Sequence, residues 1–570
     1  MPSRRFLSCL IVLGLSLPVA AQVKFNSATY PGPSNTSPGP SIAADIDRDG
    51  NPDIISPDSS NPQLIVWYGT GGGKFGSPEL IGHLDGISGN IAVGDFNNDG
   101  KLDIIVPTGQ SRFVDILINQ GNRTFSVQSI STPDWPSWVA VGDFNNDGKL
   151  DFALSSFKPD TGGFYIQIYL GNGEGGFTAG QVLPLGAIQT FNVIARDLNK
   201  DGKIDLIDLG SPATVFLNNG DGTFTNTQTL NAPNGGTYIN GSVGDVNGDA
   251  APDLFLTNDQ FCGEGCGSIK SLDSWVNDGA GHFTLKQSLQ PTGSSDDDGV
   301  LADLNYDGKL DMVFESDQEL EYALGNGNGT FGSVHQVGTL NGQFSGDFTP
   351  LLSHDLNNDG LMDIVSTSSD LNSILVELNT SAKPDCLPPN SSTVRSTVCL
   401  PASGQKVNST FAVRAAGNGP VEIVRMEEWL DGKKVFQSLS NQLRNNISTS
   451  VGSHTLTIVT VDVLNNISKQ SLSLSAISCS APATAGVRIC TPTAGSTVSS
   501  PVSVVAASSP ASGTSITAVR LYVDNVAKFT TSGSRLSTSV SMAAGSHHLV
   551  VVAYQANGNA LTASETITVP

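Results

Sequence analysis

The segment Asp95-Phe-Asn-Asn-Asp-Gly-Lys-Leu-Asp103 carries an acidic or amide side chain at positions one, three, five and nine, and a glycine at position six. Closely similar nine-residue segments recur at intervals of 48 to 58 residues. The seven segments, called loops one to seven below, begin at Asp45, Asp95, Asp143, Asp197, Asp245, Asp303 and Asp355. A regular recurrence of this length indicates that one structural unit repeats through the first 380 or so residues.

The residues around each segment repeat as well. Apolar residues precede it (91–93 and 139–141) and a short apolar run follows it (104–106 and 152–154), which predicts two strands joined by the acidic loop. A third predicted strand ends in a Gly/Asn turn and an aromatic residue, and a fourth strand follows. Four strands per unit, repeated seven times, predict an all-β fold with a seven-bladed β-propeller.

The last unit lacks a fourth strand, because the chain becomes rich in proline after its third strand (374–378). Residues 23–30 form an orphan strand before the first unit. We therefore expect residues 23–30 to complete the seventh blade and close the ring, within a propeller domain spanning residues 22–382.

Alternating acidic side chains in a tight loop are typical of calcium sites. Calcium binds six to eight oxygen atoms from carboxylates, amides and backbone carbonyls, and a glycine at position six permits the sharp turn. We expect about seven calcium ions, with position seven of each loop contributing its carbonyl. The predicted ligands are Asp45, Asp47, Asp49, Asn51 and Asp53; Asp95, Asn97, Asp99, Lys101 and Asp103; Asp143, Asn145, Asp147, Lys149 and Asp151; Asp197, Asn199, Asp201, Lys203 and Asp205; Asp245, Asn247, Asp249, Ala251 and Asp253; Asp303, Asn305, Asp307, Lys309 and Asp311; and Asp355, Asn357, Asp359, Leu361 and Asp363.

Two other interpretations of the loops were weighed. An EF-hand shares the first half of the pattern but requires a glutamate at position twelve, where Ser56 and Val106 stand in loops one and two. Metal-free Asx turns are possible for one loop, but seven clusters of carboxylates would repel themselves without a cation. Ala250 replaces the position-six glycine in loop five, which should cost about 1 kcal/mol of backbone strain and weaken that site.

The charge balance agrees with cation binding. The formal net charge is −24, and it becomes −26 once Arg4 and Arg5 are removed with the leader described below. The loops hold 22 aspartates, so seven calcium ions would reduce the net charge to −12. A chain this acidic repels nucleic acid, which we do not expect as a partner.

With its Gly-rich turn (Gly171-Asn-Gly-Glu-Gly-Gly-Phe177) and the acidic loops, the region from 23 to about 380 resembles the FG-GAP/VCBS repeats of integrin-α-type propellers. The resemblance implies calcium sites on the lower rim and ligand binding on the opposite face. It names no ligand, because related propellers serve in adhesion, as lectins and as parts of polysaccharide lyases.

A second period of 93 residues begins after the repeats, in which Cys386, Trp429 and Gly452 correspond to Cys479, Tyr522 and Gly545. Two modules, 383–478 and 479–570, are predicted as β-sandwiches that resemble bacterial immunoglobulin-like modules. A spacer or stalk is the favoured role for them, with ligand binding as the alternative.

The N-terminus predicts export. Residues 1–21 combine Arg4 and Arg5 with an apolar run and a small-residue end, which is typical of a signal peptide. The run is shorter than the roughly 20 residues of a membrane-spanning helix, and no other stretch could span a membrane. The product is expected to be secreted or held at the cell surface.

Six cysteines remain in the mature chain, and their spacing predicts three local disulfides in an oxidising compartment. A zinc site is less favoured, because no histidines flank the cysteines at ligand spacing. The predicted pairs are Cys262 with Cys266, Cys386 with Cys399, and Cys479 with Cys490.

No nucleophile elbow, zinc-protease motif or phosphate loop occurs, so we expect no enzymatic activity. Aromatic residues before several inner strands are predicted to meet on the upper face, where exposed rings suit sugars or protein surfaces. These candidates are Trp135, Trp138, Tyr238, Phe344 and Phe348. Two hypotheses stay open: a monomeric adhesion protein with a protein ligand, and a glycan-binding lectin or accessory part of a polysaccharide-degrading system.

Overall fold

The structure is a computed structural model, and it describes residues 23–186, 189–233, 235–260, 269–291, 298–316, 319–338, 351–382 and 384–570. Residues 1–21, the pair Cys262 and Cys266, and the aromatic residues Phe344 and Phe348 lie outside the described residues. In the described part, regular structure consists of strands and one 3₁₀ turn at Gly109–Ser111. The predicted all-β class is therefore confirmed.

Within the described part of residues 25–379, called the repeat domain, seven four-stranded antiparallel sheets follow one another. Strands are numbered in chain order. Sheet one contains β2 (Ile42–Ala44), β3 (Asp53–Pro57), β4 (Leu64–Trp67) and β7 (Glu79–Ile81), with the hairpin β5 (Gly69–Gly71) and β6 (Lys74–Phe75) before β7. Sheet two contains β8 (Ala92–Gly94), β9 (Asp103–Pro107), β10 (Phe113–Gly121) and β11 (Thr124–Ser131). Sheet three contains β12 (Trp135–Gly142), β13 (Asp151–Lys158), β14 (Gly163–Gly171) and β15 (Phe177–Gly186).

The remaining sheets repeat this order. Sheet four contains β16 (Asn192–Arg196), β17 (Asp205–Leu209), β18 (Ala213–Asn218) and β19 (Phe224–Leu230). Sheet five contains β20 (Thr237–Gly244), β21 (Asp253–Gln260), β22 (Ile269–Asn277) and β23 (Phe283–Leu289). Sheet six contains β24 (Gly299–Ala302), β25 (Asp311–Ser316), β26 (Glu319–Gly325) and β27 (Phe331–Gly338).

Sheet seven joins the two ends of the repeat domain. It contains β28 (Leu352–His354), β29 (Asp363–Ser368), β30 (Ser373–Asn379) and β1 (Phe25–Pro31). Strand β1 runs antiparallel to β30 and pairs Phe25 with Asn379 and Pro31 with Ser373. The N-terminal strand therefore supplies the fourth strand of the sheet formed by the last repeat.

The first strands of the sheets lie side by side around a central space. Contacts run from β8 to β12 and onward through β16, β20, β24 and β28 to β2. The second strands are buried along their length, as in Asp53–Pro57 and Asp103–Pro107. Radially arranged four-stranded sheets of this kind are consistent with a β-propeller.

Two smaller sandwiches follow the repeat domain, and each packs two sheets around its own apolar core. The first module (384–478) pairs the sheet β31 (Arg395–Leu400), β33 (Thr410–Asn418) and β36 (Gln442–Ser448) with the sheet β32 (Gln405–Asn408), β38 (Ile467–Ile477), β37 (Gly452–Asp462), β34 (Ile423–Leu430) and β35 (Lys433–Ser438). The second module (479–570) pairs β39 (Gly486–Thr491), β40 (Val502–Ser509) and β43 (Arg535–Val540) with β42 (Val526–Ser532), β41 (Ile516–Val523), β44 (Gly545–Gln555) and β45 (Ala560–Val569).

Both predicted disulfides in these modules are confirmed. Cys386 and Cys399 are joined, as are Cys479 and Cys490. Among the described residues, no helix is long and apolar enough to cross a membrane.

Candidate metal centres

Each acidic loop connects the first and second strands of one sheet. In sheet two, for example, Gly94 at the end of β8 pairs with Asp103 at the start of β9, so loop two is a closed hairpin connection. Because every loop joins the same two strands of its sheet, all seven loops lie at the same end of the sheets.

The position-nine aspartate anchors each loop to its sheet. In loop one, Asp53 Oδ2 accepts a hydrogen bond from the Ile46 N–H at 2.9 Å, and Oδ1 accepts one from the Gly69 N–H at 2.8 Å. The first bond closes the loop, and the second joins it to the end of the third strand. All seven position-nine aspartates make this pair of bonds: Asp53, Asp103, Asp151, Asp205, Asp253, Asp311 and Asp363.

Positions one, three and five form a chain of Asx turns. Asp45 accepts hydrogen bonds from the N–H groups of Asp49 and Gly50, both at 3.0 Å. Asp47 also accepts a bond from the Asp49 N–H, and Asp49 accepts one from the Asn51 N–H at 2.8 Å. Backbone donors thus hold the side-chain oxygens of these positions in place.

Two positions in every loop adopt left-handed backbone angles. The six position-six glycines have φ between 80° and 88°, whereas Ala250 in loop five has φ of 62°. Position four is also left-handed, with φ between 55° and 82°, at Arg48, Asn98, Asn146, Lys200, Gly248, Tyr306 and Asn358. Sequence reasoning missed position four, although three asparagines and Gly248 were a signal for it. Loop five therefore has its glycine at position four instead of position six.

Loop one provides a direct test of whether the residues fit a cation. One carboxylate oxygen from each of Asp45, Asp47 and Asp49 lies within 4.8 Å of the other two. The remaining loops place an asparagine at position three, which also offers an oxygen. A donor set made only of oxygens suits a hard cation such as calcium.

Burial makes the ionised form of these aspartates costly. Desolvation, reinforced by the neighbouring aspartates, raises the pKa of Asp53 to about 8 and that of Asp103 to about 7. At position one, desolvation raises the pKa of Asp45 to about 6 and that of Asp355 to about 7. A bound cation would offset this cost by favouring the ionised forms.

Basic side chains form ion pairs with some of the loop aspartates. Lys203 Nζ lies 2.8 Å from Asp201 Oδ2 in loop four, and Lys101, Lys149 and Lys309 pair with their position-five aspartates in the same way. Loop one differs, because Asp47 replaces the usual position-three asparagine. Its Oδ2 accepts two hydrogen bonds from Arg123, at 2.9 and 2.7 Å.

Arg123 belongs to the turn between β10 and β11, at a position where sheets one and three to six have glycine. Its guanidinium stacks 3.7 Å from the centre of the Tyr68 ring. Arg123 is therefore matched to the extra charge of Asp47.

The aromatic candidates are placed differently from one another. Tyr238 is fully buried, where its hydroxyl donates to Asp273 Oδ2 at 2.9 Å and accepts from Trp275 Nε1 at 3.0 Å. The expectation that Tyr238 is exposed for a ligand is wrong, because the ring fills the core between strands. Trp138 is half-buried and packs against the core of sheets three and four.

Trp135 is half-buried as well, and it lies at the end of sheet three opposite its acidic loop. Its ring centre lies 5.7 Å from that of Phe157, which lies 4.8 Å from that of Phe164. The three rings form an aromatic cluster at the upper end of the sheet. Lys158 stands beside it, with Nζ 4.6 Å from the centre of the Tyr165 ring.

The solved structures with partial similarity to the chain include the following three. A lectin from Agrocybe aegerita, whose structure concerns specific recognition of non-reducing terminal N-acetylglucosamine, is 19% identical over 56% of this chain and 90% of its own, with a TM-score of 0.40. Raptor from Chaetomium thermophilum is 10% identical over 64% of this chain and 30% of its own, with a TM-score of 0.40. Fibronectin(III)-like modules of Clostridium thermocellum CbhA are 16% identical over 31% of this chain and 94% of their own, with a TM-score of 0.15. Similarities this low carry no argument about function.

No curated protein sequence matches the chain. The FG-GAP-like repeat family matches residues 27–106, 108–154, 208–256 and 303–366. These segments contain every acidic loop except loop four. FG-GAP-like repeats are therefore present in the repeat domain, as the acidic loops and Gly-rich turns predicted.

Proposed function

We propose that the chain is an exported, calcium-binding, seven-bladed β-propeller with two immunoglobulin-like modules, and that it binds a ligand without catalysis. The observation that carries the proposal is the identical anchoring of seven oxygen-rich loops at one end of seven sheets. Bound calcium would supply positive charge at the centre of each loop. Side chains at positions one, three, five and nine, and the carbonyl at position seven, would hold it.

The charge distribution supports this role for the loops. Residues 22–382 contain 45 Asp and Glu against 14 Lys and Arg, and 22 of the acids are loop aspartates. Clustered, partly buried carboxylates destabilise the metal-free fold, so cation binding is expected to contribute to folding. The disulfides of the two modules fit an oxidising compartment and so support export.

The metal proposal is tested by elemental analysis of dialysed full-length protein. We expect about seven calcium ions per chain, and a marked fall in melting temperature after chelation. Metal-free protein with an unchanged melting curve would overturn the calcium assignment.

Ligand binding is assigned to the end of the repeat domain opposite the acidic loops. The aromatic cluster Trp135, Phe157 and Phe164 supports this, because these half-buried rings beside Lys158 and the carboxylate of Asp134 combine apolar surfaces with polar groups. A protein ligand makes the chain an adhesion protein. The tryptophan ring of Trp135, next to polar groups, supports a glycan as the second candidate.

A glycan array separates the two ligand classes. Sugar binding that is lost in Trp135→Ala but kept in Trp429→Ala, which removes a tryptophan of the first module, would identify a lectin. Absence of any sugar signal, with capture of a protein ligand that depends on Trp135, would identify an adhesion protein. Ligand binding that is unaffected by Trp135→Ala would place the site elsewhere.

A further inference from the structure

The first module lies directly against the acidic loops. In loop seven, Asn418 Nδ2 donates to Asn358 Oδ1 at 2.6 Å, and Gln442 Nε2 donates to the Gly360 carbonyl at 3.3 Å. In loop six, Arg444 donates to the Tyr306 carbonyl at 2.6 Å and stacks 4.2 Å from the centre of its ring. The module therefore recognises the folded shape of these loops.

Three further loops make similar contacts. In loop five, the Ala250 carbonyl accepts from Gln437 at 3.3 Å. In loop four, Asp197 Oδ2 lies 3.9 Å from Arg425. In loop one, the Asp45 N–H donates to the Pro420 carbonyl at 2.8 Å. These contacts fall on loop positions one, four and six, which are a predicted metal ligand and the two left-handed positions.

An apolar segment of the first module enters the central space between the first strands. Val421 and Leu464 are 2% and 7% exposed, and they belong to the same buried cluster as Ile46. Beside them, Arg196 and Glu422 form an ion pair of 3.2 Å. The first module thus closes one end of the central space, which does not fit the expected role of a simple spacer.

Loops two and three differ from the other five. Among the described residues, no hydrogen bond or ion pair joins either of them to the first module, and Asp99 and Asp147 are exposed. Loop seven is enclosed instead, with Asp355 only 6% exposed and Gly360 buried. The chain therefore contains both covered loops and matched uncovered loops.

Charge attraction alone does not explain this docking. The first module (384–478) carries eight Lys and Arg against six Asp and Glu, so it is attracted to the acidic repeat domain with or without metal. At physiological salt that attraction is screened beyond about 8 Å. The hydrogen bonds to the carbonyls of loops five, six and seven, by contrast, require these loops to keep their shape within a few tenths of an ångström.

We propose that the first module is a calcium-dependent clamp, which docks on loops one, four, five, six and seven when their metal sites are filled and encloses the ion of loop seven. This inference rests on the proposed calcium binding. By linkage, docking must in turn strengthen calcium binding in the covered loops. Metal release would detach the first module from the loops and open that end of the central space.

Hydrogen exchange of the full chain tests the clamp, read at residues 419–426 and 436–444. In calcium, we expect Asp359→Asn in loop seven to speed exchange in both segments by about 5- to 150-fold, the usual range of such coupling. The matched control, Asp99→Asn in loop two, should leave both segments protected. Equal protection in the two variants would overturn the clamp.

A second variant tests the reverse coupling if Asp359→Asn fails to fold. Arg444→Gln should speed release of radioactive calcium from the slowest-exchanging site, whereas Arg488→Gln in the second module should not; unchanged release from Arg444→Gln would contradict the clamp.

Chelation separates this inference from the calcium proposal. If chelation leaves exchange in the loops unchanged, the calcium proposal is wrong. If it speeds exchange in the loops but leaves residues 419–426 and 436–444 protected, only the clamp is wrong.

Discussion

Replacing Ala250 by glycine should stabilise the protein, because loop five holds an alanine in a conformation that favours glycine. Ala250 has φ of 62°, which costs an L-residue roughly 1–2 kcal/mol. Glycine removes that strain but adds about 0.4–1 kcal/mol of conformational entropy to the unfolded chain. The net gain in the free energy of unfolding is therefore about 0.8 kcal/mol at the middle of these two ranges.

The contacts of Ala250 allow this gain to be measured cleanly. Its N–H donates to Asp245 Oδ2 at 2.8 Å and its carbonyl accepts from Gln437, and both bonds involve backbone atoms that glycine retains. The assay is urea unfolding in saturating calcium, with metal affinity measured by a competing chelator. We expect a higher urea midpoint with an unchanged slope, and tighter calcium binding by the weakest site.

Gly148 in loop three supplies the reciprocal control. It has φ of 80°, and an added Cβ would meet no atom within 4 Å, so Gly148→Ala introduces the strain without a clash. We expect Gly148→Ala to lower stability by about 1 kcal/mol. The reasoning is refuted if Ala250→Gly has no effect while Gly148→Ala is destabilising, since the two loops would then not share one conformational requirement.

Three further predictions concern charge. With a chelator present, the free energy of unfolding should fall as pH rises from 5 to 8, because burial raises the pKa of the position-nine aspartates (to about 8 for Asp53) and the folded chain then binds more protons than the unfolded one. Saturating calcium should remove this pH dependence of the melting temperature, and a melting temperature that still falls with pH in calcium would contradict the prediction. In a double-mutant cycle, Arg123→Gly should destabilise the metal-free protein but not in the background of Asp47→Asn, and additive effects in thermal unfolding would show that the pair does not interact. The hydrogen bond that His454 Nδ1–H donates to Asp431 Oδ2, at 2.6 Å, raises the pKa of His454. This pair should therefore stabilise the first module below the unfolded pKa of histidine, and the effect should be lost as pH rises through the raised value. His454→Gln should remove this pH dependence of the module's hydrogen-exchange protection, and an unchanged pH dependence in the variant would contradict the prediction.

The repeated pattern was sufficient to predict the sheets but not how the modules pack. The 48- to 58-residue period marks each acidic loop, and the apolar runs on both sides mark the strands it joins. The missing fourth strand of the last repeat pointed to residues 23–30, and β1 lies against β30. These features are local or periodic, so they are visible in the sequence.

Other features depend on residues far apart in the chain. Tyr238 is buried because Asp273 and Trp275 supply its hydrogen bonds, and no local pattern links these three residues. Three of the polar contacts between the first module and the loops use backbone carbonyls, those of Ala250, Tyr306 and Gly360, and a carbonyl carries no side-chain signature. The position of the first module could therefore not be predicted from composition or spacing.

The pairing of β1 with β30 sets the order in which the chain can fold. Ser27 bonds to Glu377 across 350 residues of sequence, and closing a loop of that length costs roughly 5 kcal/mol of chain entropy. During synthesis the N-terminal strand must wait, unpaired, until the last repeat has been made. The edge of β30 therefore stays open until β1 reaches it, and the last sheet of the ring forms in one late step that joins residues from both ends of the repeat domain.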